Sequence, residues 1–119
     1  MKRIQISKRA LRQLQEIYTY TYRKFGSRQA DKFIAEIHAK IRSVARNSGL
    51  GQDFGRFMDG LRSVPHERHR IFYRERGDAL QVLSVYSTSR NLEKLLAREL
   101  ARSRGLHAPS NRGRKGRID

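Results

Sequence analysis

The chain has 119 residues, enough for one domain with an adequate core. It has 27 Lys and Arg residues and 11 Asp and Glu residues, which gives a net charge of +16. This charge is larger than solubility requires, and it is typical of a protein that binds a polyanion or an acidic partner. The absence of cysteine excludes a disulfide framework, and no segment approaches the roughly 18 apolar residues that a membrane span needs.

The first half of the chain predicts a short strand and two amphipathic helices. Residues 2–6 alternate polar and apolar side chains, as in a strand, and Ser7 is a suitable N-cap for the helix that follows. The apolar stripe of this helix is Leu11, Leu14, Ile17, Tyr18, Tyr22 and Phe25. Gly26 ends it and Ser27 caps the second helix. The second stripe is Ala30, Phe33, Ile34, Ile37, Ile41, Val44 and Ala45. Because the connection is so short, we expect an antiparallel hairpin.

The glycine-rich stretch at residues 49–60 predicts a structured loop with its aromatic side chains tucked beneath it. Residues 61–64, 68–75 and 80–87 then predict three antiparallel strands joined by charged turns. Simple alternation places one set of side chains on one face: Ile71, Tyr73, Val82, Ser84 and Tyr86. The other face would carry Phe72, Leu83 and Val85. Since both faces are apolar, we expect the hairpin to cover one and a third helix or a partner to cover the other.

The end of the chain predicts a third helix and a tail. Residues 91–103 carry leucines at helical spacing, whereas residues 104–119 are rich in Gly, Ser, Asn and Arg and favour a disordered basic tail. We therefore predict an α+β domain over residues 1–103 in the order β-α-α-β-β-β-α. Its small antiparallel sheet would pack against the helical hairpin.

Arginines within the predicted strands are the first candidate functional residues. Arg62, Arg70 and Arg74 occupy positions where a purely structural sheet more often has Thr or Val. Guanidinium groups bind phosphates and carboxylates through paired hydrogen bonds. The alternative is that they pair with acidic residues of the neighbouring turns, which are Glu67, Glu75 and Asp78.

The sequence predicts no metal ion and no cofactor. His66 and His69 form an HxxH pattern, but it lies in a turn without an evident third ligand, so we interpret it as a polar turn. Met1-Lys2-Arg3 leads directly into the first strand without the pattern of a signal peptide. Together with the lack of cysteine, this favours a cytoplasmic protein with no membrane contact.

Several segments in order resemble one known family. They are residues 10–18 of the first helix, residues 26–33 at the helix connection, Leu61-Arg62, Arg70-Ile71-Phe72-Tyr73 and the strand 82–86. This arrangement, from Ile4 to about Arg90, resembles the RelE/ParE superfamily of toxins from type II toxin–antitoxin modules. The resemblance implies a small basic toxin that a cognate antitoxin wraps and neutralises in a hetero-oligomer.

The two branches of that superfamily imply different activities. RelE-like toxins are ribosome-dependent mRNA endoribonucleases. Arg70 matches the third-strand arginine of that branch and Arg90 could serve as the later one. The branch usually has a tyrosine or histidine near the C-terminus, but none follows Arg90 before His107, so the further catalytic candidate would be Tyr86 or His69. However, RelE-like chains have lysines before the Leu-Arg pair, where this chain has Asp59 and Gly60. ParE-like toxins instead inhibit DNA gyrase without that catalytic set. We favour the ParE-like branch, which would be non-enzymatic. The RelE-like alternative would be an endoribonuclease, so the sequence does not decide whether the protein is an enzyme. The target-binding candidates are Arg62, Arg70, Arg74 and Arg90.

Overall fold

The computed structural model describes residues 1–88 and residue 98. The elements in chain order are β1 (Arg3–Ile6), α1 (Lys8–Phe25), α2 (Ser27–Arg46), a 3-10 turn (Ser48–Leu50), β2 (Gln52–Asp53), β3 (Arg62–His66), β4 (His69–Arg76) and β5 (Ala79–Ser87). The predicted order is confirmed from β1 to β5, and the 3-10 turn and β2 are additions within the glycine-rich loop. The predicted third helix and tail lie outside the described residues, apart from residue 98.

The five strands form one sheet in the order β1-β5-β4-β3-β2. The predicted antiparallel pairing holds for β2 to β5, whereas β1 lies parallel to β5, so the sheet is mixed. Both edges are poor templates for further pairing, because β2 has two residues and β1 begins with the exposed Arg3. Among the described residues, no helix is both long enough and apolar enough to cross a membrane.

The main core lies between the helical hairpin and one face of the sheet. The predicted stripe of α2 is largely confirmed, since Phe33, Ile37 and Ile41 are at most 6% exposed. The stripe of α1 is only partly correct: Leu14 is buried, but Tyr22 and Phe25 are 52% and 62% exposed. The residues of α1 that meet the core follow Ala10, Leu14 and Ile17. Leu11, Tyr18, Tyr22 and Phe25 recur on a line roughly 80° around the helix from these.

A second apolar cluster lies on the sheet face turned away from the helices, which we call the open face. It consists of Phe54, Leu61, Phe72 and Tyr86, with Phe57, Met58 and Leu83 packed against it. Phe54 contacts Phe72 edge-on, with 5.2 Å between ring centroids. The prediction that the loop aromatics tuck beneath the glycine-rich loop is therefore confirmed, and this loop covers the centre of the open face.

A β-bulge in β5 changes which side chains share a face. Phe72 pairs with Ser84 and Tyr73 pairs with Val82, which leaves Leu83 as an extra residue. Beyond the bulge the alternation is inverted, so Val85 packs in the hairpin-side core and Tyr86 lies with Phe72 on the open face. The sequence prediction, which applied strict alternation, was therefore wrong for Ser84, Val85 and Tyr86.

The start of α1 provides hydrogen bonds to the backbone around this bulge. The Ser7 hydroxyl donates to the Leu83 carbonyl at 2.8 Å and accepts from the Ala10 amide at 3.0 Å, which caps α1 as predicted. The Val85 amide donates to Oε1 of Gln13 at 2.8 Å. Ser7 thus joins the helix cap and the irregular strand through one side chain.

We predict that Ser7→Ala lowers the free energy of unfolding by about 1–3 kcal/mol, because it removes the helix cap and leaves the Leu83 carbonyl without its partner. Urea denaturation of the purified chain measures this. Ser43→Ala is the matched control, since the Ser43 hydroxyl bonds only to the Ala39 carbonyl within its own helix. Equal stability of the two variants would contradict the role given to Ser7.

Candidate functional site

Strand pairing places two of the predicted arginines on the open face. Arg70 pairs with Tyr86 and Arg74 pairs with Gln81, and paired residues of neighbouring strands share a face. Phe72 lies between these arginines on β4 and belongs to the open-face cluster. The structure therefore brings Arg70 and Arg74 to the two sides of the loop that covers Phe72.

Neutral groups hold the Arg70 guanidinium. Its Nε donates to the Ser63 hydroxyl at 2.9 Å and its Nη2 donates to Gln52 Oε1 at 3.2 Å. Ser63 is fully buried, so its hydroxyl is a fixed acceptor. The guanidinium also lies 5.8 Å from the centroid of the Phe54 ring. Arg70 is thereby oriented at the protein surface by neutral groups, and among the described residues no carboxylate pairs with it.

Arg74 is oriented in the same manner on the other side of the loop. Its Nε donates to Gln81 Oε1 at 3.0 Å, and its Nη1 lies 3.4 Å from the sulfur of Met58. Gln81 in turn donates to Gln5 at 3.3 Å, which extends this polar row to β1. These neutral partners position the guanidinium, and no carboxylate within residues 1–88 forms an ion pair with it.

The acidic residues that the sequence offered as arginine partners lie against other groups. Glu75 lies 3.3 Å from Lys2, and hydrogen bonds from Ser48 and Lys2 lower its pKa. The Arg3 guanidinium, 3.0 Å from Asp78, lowers the pKa of that carboxyl. Glu67 lies 3.8 Å from His66.

Arg62 lies apart from the other two arginines. It pairs with Tyr73, whose side chain is buried in the hairpin-side core, and its Nη1 donates to the Gly51 carbonyl at 2.9 Å. The Tyr73 hydroxyl donates to the Ser48 carbonyl at 2.6 Å, and burial raises the pKa of this tyrosine. Arg62 therefore ties Gly51, which lies between the 3-10 turn and β2, to strand β3. The fourth target-binding candidate, Arg90, lies outside the described residues.

The candidates for RelE-like catalysis do not form one cluster. Arg70 and Tyr86 are neighbours on the open face, where Tyr86 is only 8% exposed. His69 lies on the hairpin face with its ring 5.3 Å from that of Phe33. Burial lowers the pKa of His69, and its buried Nδ1 has no hydrogen-bond partner among the described residues. The sheet thus separates His69 from Arg70 and Tyr86.

A groove opens at the tip of the hairpin and was not predicted from the sequence. It lies between the C-terminal half of α1, the start of α2 and the β3–β4 turn, and its volume is about 1220 Å³. We call it the hairpin groove. Its apolar lining includes Ile17, Tyr20, Phe25 and Phe33, and its basic lining includes Lys24 and Arg68. The sequence signal that could have indicated it is the apolar stripe of α1, which is wider than the core requires and leaves Tyr22 and Phe25 exposed.

Comparisons with known proteins agree with this architecture. The family model of the ParE toxin of the type II toxin–antitoxin system parDE matches residues 4–92. Toxin ParE1 of Caulobacter vibrioides is 32% identical over 91 residues, which cover 76% of this chain and 94% of that protein. Toxin ParE1 of Mycobacterium tuberculosis H37Rv is 30% identical over 73 residues, covering 61% of this chain and 74% of that protein.

A solved structure shows the same fold. It is described as the chromosomal ParDE TA system from P. aeruginosa, and it superposes with a TM-score of 0.64 at 19% sequence identity. The superposition covers 73% of this chain and 96% of that one. The predicted resemblance to the RelE/ParE superfamily, and to its ParE branch, is confirmed.

We predict that the open-face arginines contribute little to stability. Arg74→Gln should change the free energy of unfolding by less than about 1 kcal/mol, because its guanidinium is partly solvated and bound to neutral groups. Arg70→Gln should lower it by at most about 2 kcal/mol, because it also removes the donor to the buried Ser63 hydroxyl. Phe72→Ala, which empties the centre of the same face, should cost about 3–5 kcal/mol. Urea denaturation of the three variants tests this, and a loss for either arginine variant as large as that for Phe72→Ala would make the arginines structural.

Proposed function

The chain belongs to the ParE toxin family of type II toxin–antitoxin systems, and from this premise we propose that it arrests growth by binding DNA gyrase. We further propose that a cognate antitoxin neutralises it in a hetero-oligomer. Action on gyrase would place the protein in the cytoplasm. One observation above all supports the proposed target contact: Arg70 and Arg74 are held at the surface by neutral groups, so their charge remains available to an acidic partner.

Binding accounts for the open face better than catalysis does. Cleavage of RNA by a 2′-hydroxyl mechanism needs a base, an acid and cations around one phosphate. On the open face, Arg70 has the nearly buried phenol of Tyr86 beside it, and His69 lies beyond the sheet. Two guanidinium groups on either side of a loop that carries Phe54 and Phe57 resemble the anchors of a protein interface, where arginine and aromatic side chains dominate affinity.

The hairpin groove suits the antitoxin. Tyr20 and Phe25 are 59% and 62% exposed, which is unusual for large apolar side chains that lie so close together. Lys24 donates to the Tyr20 hydroxyl at 3.0 Å and lies 5.8 Å from the centroid of the Phe25 ring, so a cation is held between the two aromatic groups. An amphipathic antitoxin segment with apolar anchors and acidic flanks would bury the rings and pair with Lys24 and Arg68.

The test of the target is supercoiling of relaxed plasmid by gyrase in the presence of the purified, antitoxin-free chain. We expect lost supercoiling and accumulation of cleaved DNA with the unaltered chain. The double variant Arg70→Gln/Arg74→Gln should need at least about tenfold more protein for the same inhibition, because removing interface charges weakens binding.

The control for charge alone is Arg28→Gln/Arg42→Gln, which removes two exposed arginines of α2 and leaves the open face intact. It should inhibit gyrase as the unaltered chain does. Equal loss in both double variants would assign the effect to net charge. No inhibition by the unaltered chain at a large molar excess would overturn the gyrase proposal and direct attention to the ribosome and mRNA.

The groove proposal predicts that Tyr20→Ala/Phe25→Ala binds the cognate antitoxin at least about tenfold more weakly, because two exposed aromatic anchors are removed. Isothermal titration calorimetry with the purified antitoxin measures the affinity. Leu50→Ala is the matched control, since Leu50 is 59% exposed on the 3-10 turn and does not line the groove. Unchanged affinity in the aromatic double variant would exclude the groove as the antitoxin site.

A further inference from the structure

Three side chains with metal-binding atoms converge where α2 meets the β3–β4 turn. They are Glu36 on α2, His66 at the end of β3 and Glu67 in the turn. Nε2 of His66 lies 3.0 Å from Oε1 of Glu36 and 3.8 Å from Oε2 of Glu67. One donor atom from each residue lies within 4.8 Å of the other two. The cluster therefore joins an imidazole nitrogen and two carboxylate oxygens from different parts of the fold.

The spacing of these atoms suits a small divalent cation. Tetrahedral zinc with nitrogen and oxygen ligands at about 2.0–2.1 Å sets its ligand atoms roughly 3.3 Å apart. The two distances from His66 lie on either side of this value. Small side-chain rotations would therefore bring all three donors to one ion, with a water molecule as the fourth ligand.

A hydrogen bond accounts for the contact between His66 and Glu36, whereas Glu67 lies beside them beyond hydrogen-bond distance. Nε2 of a neutral His66 carries at most one proton, which can serve Glu36 but not also Glu67 at 3.8 Å. The two carboxylates repel each other, and a cation between them, whether a protonated imidazole or a metal ion, would offset that repulsion. A divalent ion would satisfy both carboxylates and the imidazole at once.

The surroundings of the cluster are fixed by packing. The His66 side chain is only 14% exposed, and the Phe33 ring, buried beneath it, lies 5.4 Å from the imidazole. His66 pairs in register with His69, whose Nδ1 is the one buried side-chain nitrogen or oxygen without a partner in the described part of the chain. Glu67 has a φ of 52°, a left-handed conformation that disfavours residues other than glycine. Glu67 is the first of the two residues that connect β3 to β4, where a tight hairpin turn requires a positive φ, so the turn fixes the position of Glu67.

We propose that Glu36, His66 and Glu67 form a zinc site that fastens α2 to the β3–β4 turn. One nitrogen and two oxygen ligands are a donor set that zinc accepts, whereas magnesium and calcium prefer oxygen ligands alone. The site clamps the part of the fold that borders the hairpin groove, because Glu67 also lines that groove. It is separate from the open face and does not depend on the proposed action on gyrase.

The test is titration of the metal-free full chain with Zn²⁺ alone, followed by calorimetry and by thermal unfolding. We expect one zinc ion per chain and a rise in Tm that saturates at the same stoichiometry, since an ion that binds only the folded state stabilises it. Mg²⁺ at the same concentration should leave Tm unchanged. Equal stabilisation by Mg²⁺ would instead show a nonspecific effect of the carboxylates and overturn the zinc assignment.

Variants distinguish zinc binding at this cluster from zinc binding at other histidines of the chain. His66→Ala should weaken zinc binding at least about 100-fold, and Glu67→Gln at least about tenfold. Because Glu67 is exposed, its variant should fold normally and keep the test valid if His66→Ala is unstable. His38→Ala, which changes an exposed histidine of α2, is the control and should bind zinc unchanged. Zinc affinity that is equal in all three variants, or no binding by the unaltered chain, would overturn the proposal.

Discussion

The β-bulge at Leu83 is the feature on which the two faces of the sheet depend. Because the bulge inverts the alternation in β5, Val85 joins the core beneath the hairpin, and Tyr86 joins Phe72 and Arg70 on the open face. The Ser7 hydroxyl supports it by bonding to the Leu83 carbonyl while it caps α1. The position of the hairpin and the composition of the open face are thus coupled through one serine and one extra residue.

The two helices of the hairpin and the order of the strands in the chain were predictable because they follow local patterns. The 3.6-residue period of α2 and the end of α1 at Gly26 depend on neighbours in the sequence. The predicted cap at Ser27 was wrong, because Ser27 is the first residue of α2, Gly26 is its N-cap, and no side chain caps the helix. The faces of β5 were not predictable, because the bulge depends on Ser7 and Gln13, which lie more than 70 positions away. For the same reason, the parallel pairing of β1 with β5 and the two-residue β2 escaped sequence analysis, since neither has a local signature.

The sequence predicted which residue types form the candidate site, but it did not predict how those residues are arranged in the fold. Arginine within a strand pattern correctly drew attention to Arg70 and Arg74, but alternation could not show that Arg62 belongs to the hairpin face. The predicted acidic partners were plausible by proximity in sequence, yet Lys2 and Arg3, at the other end of the chain, lie against Glu75 and Asp78. Likewise, Glu36 lies 30 positions before His66, so its contact with the β3–β4 turn could not be predicted from the HxxH pattern.

The placement of the two proposed binding surfaces constrains how an antitoxin could neutralise this toxin. The hairpin groove lies on the helical side of the sheet, and Arg70 and Arg74 lie on the opposite side. A short segment confined to the groove would therefore leave both guanidinium groups exposed to gyrase. Neutralisation by direct competition requires an antitoxin chain long enough to pass from the groove around the sheet to the open face. An antitoxin that covers the groove alone would have to act sterically, because its own volume would prevent the toxin from docking on gyrase. Direct competition and steric blocking differ in one observable: only direct competition buries Arg70 in the toxin–antitoxin complex.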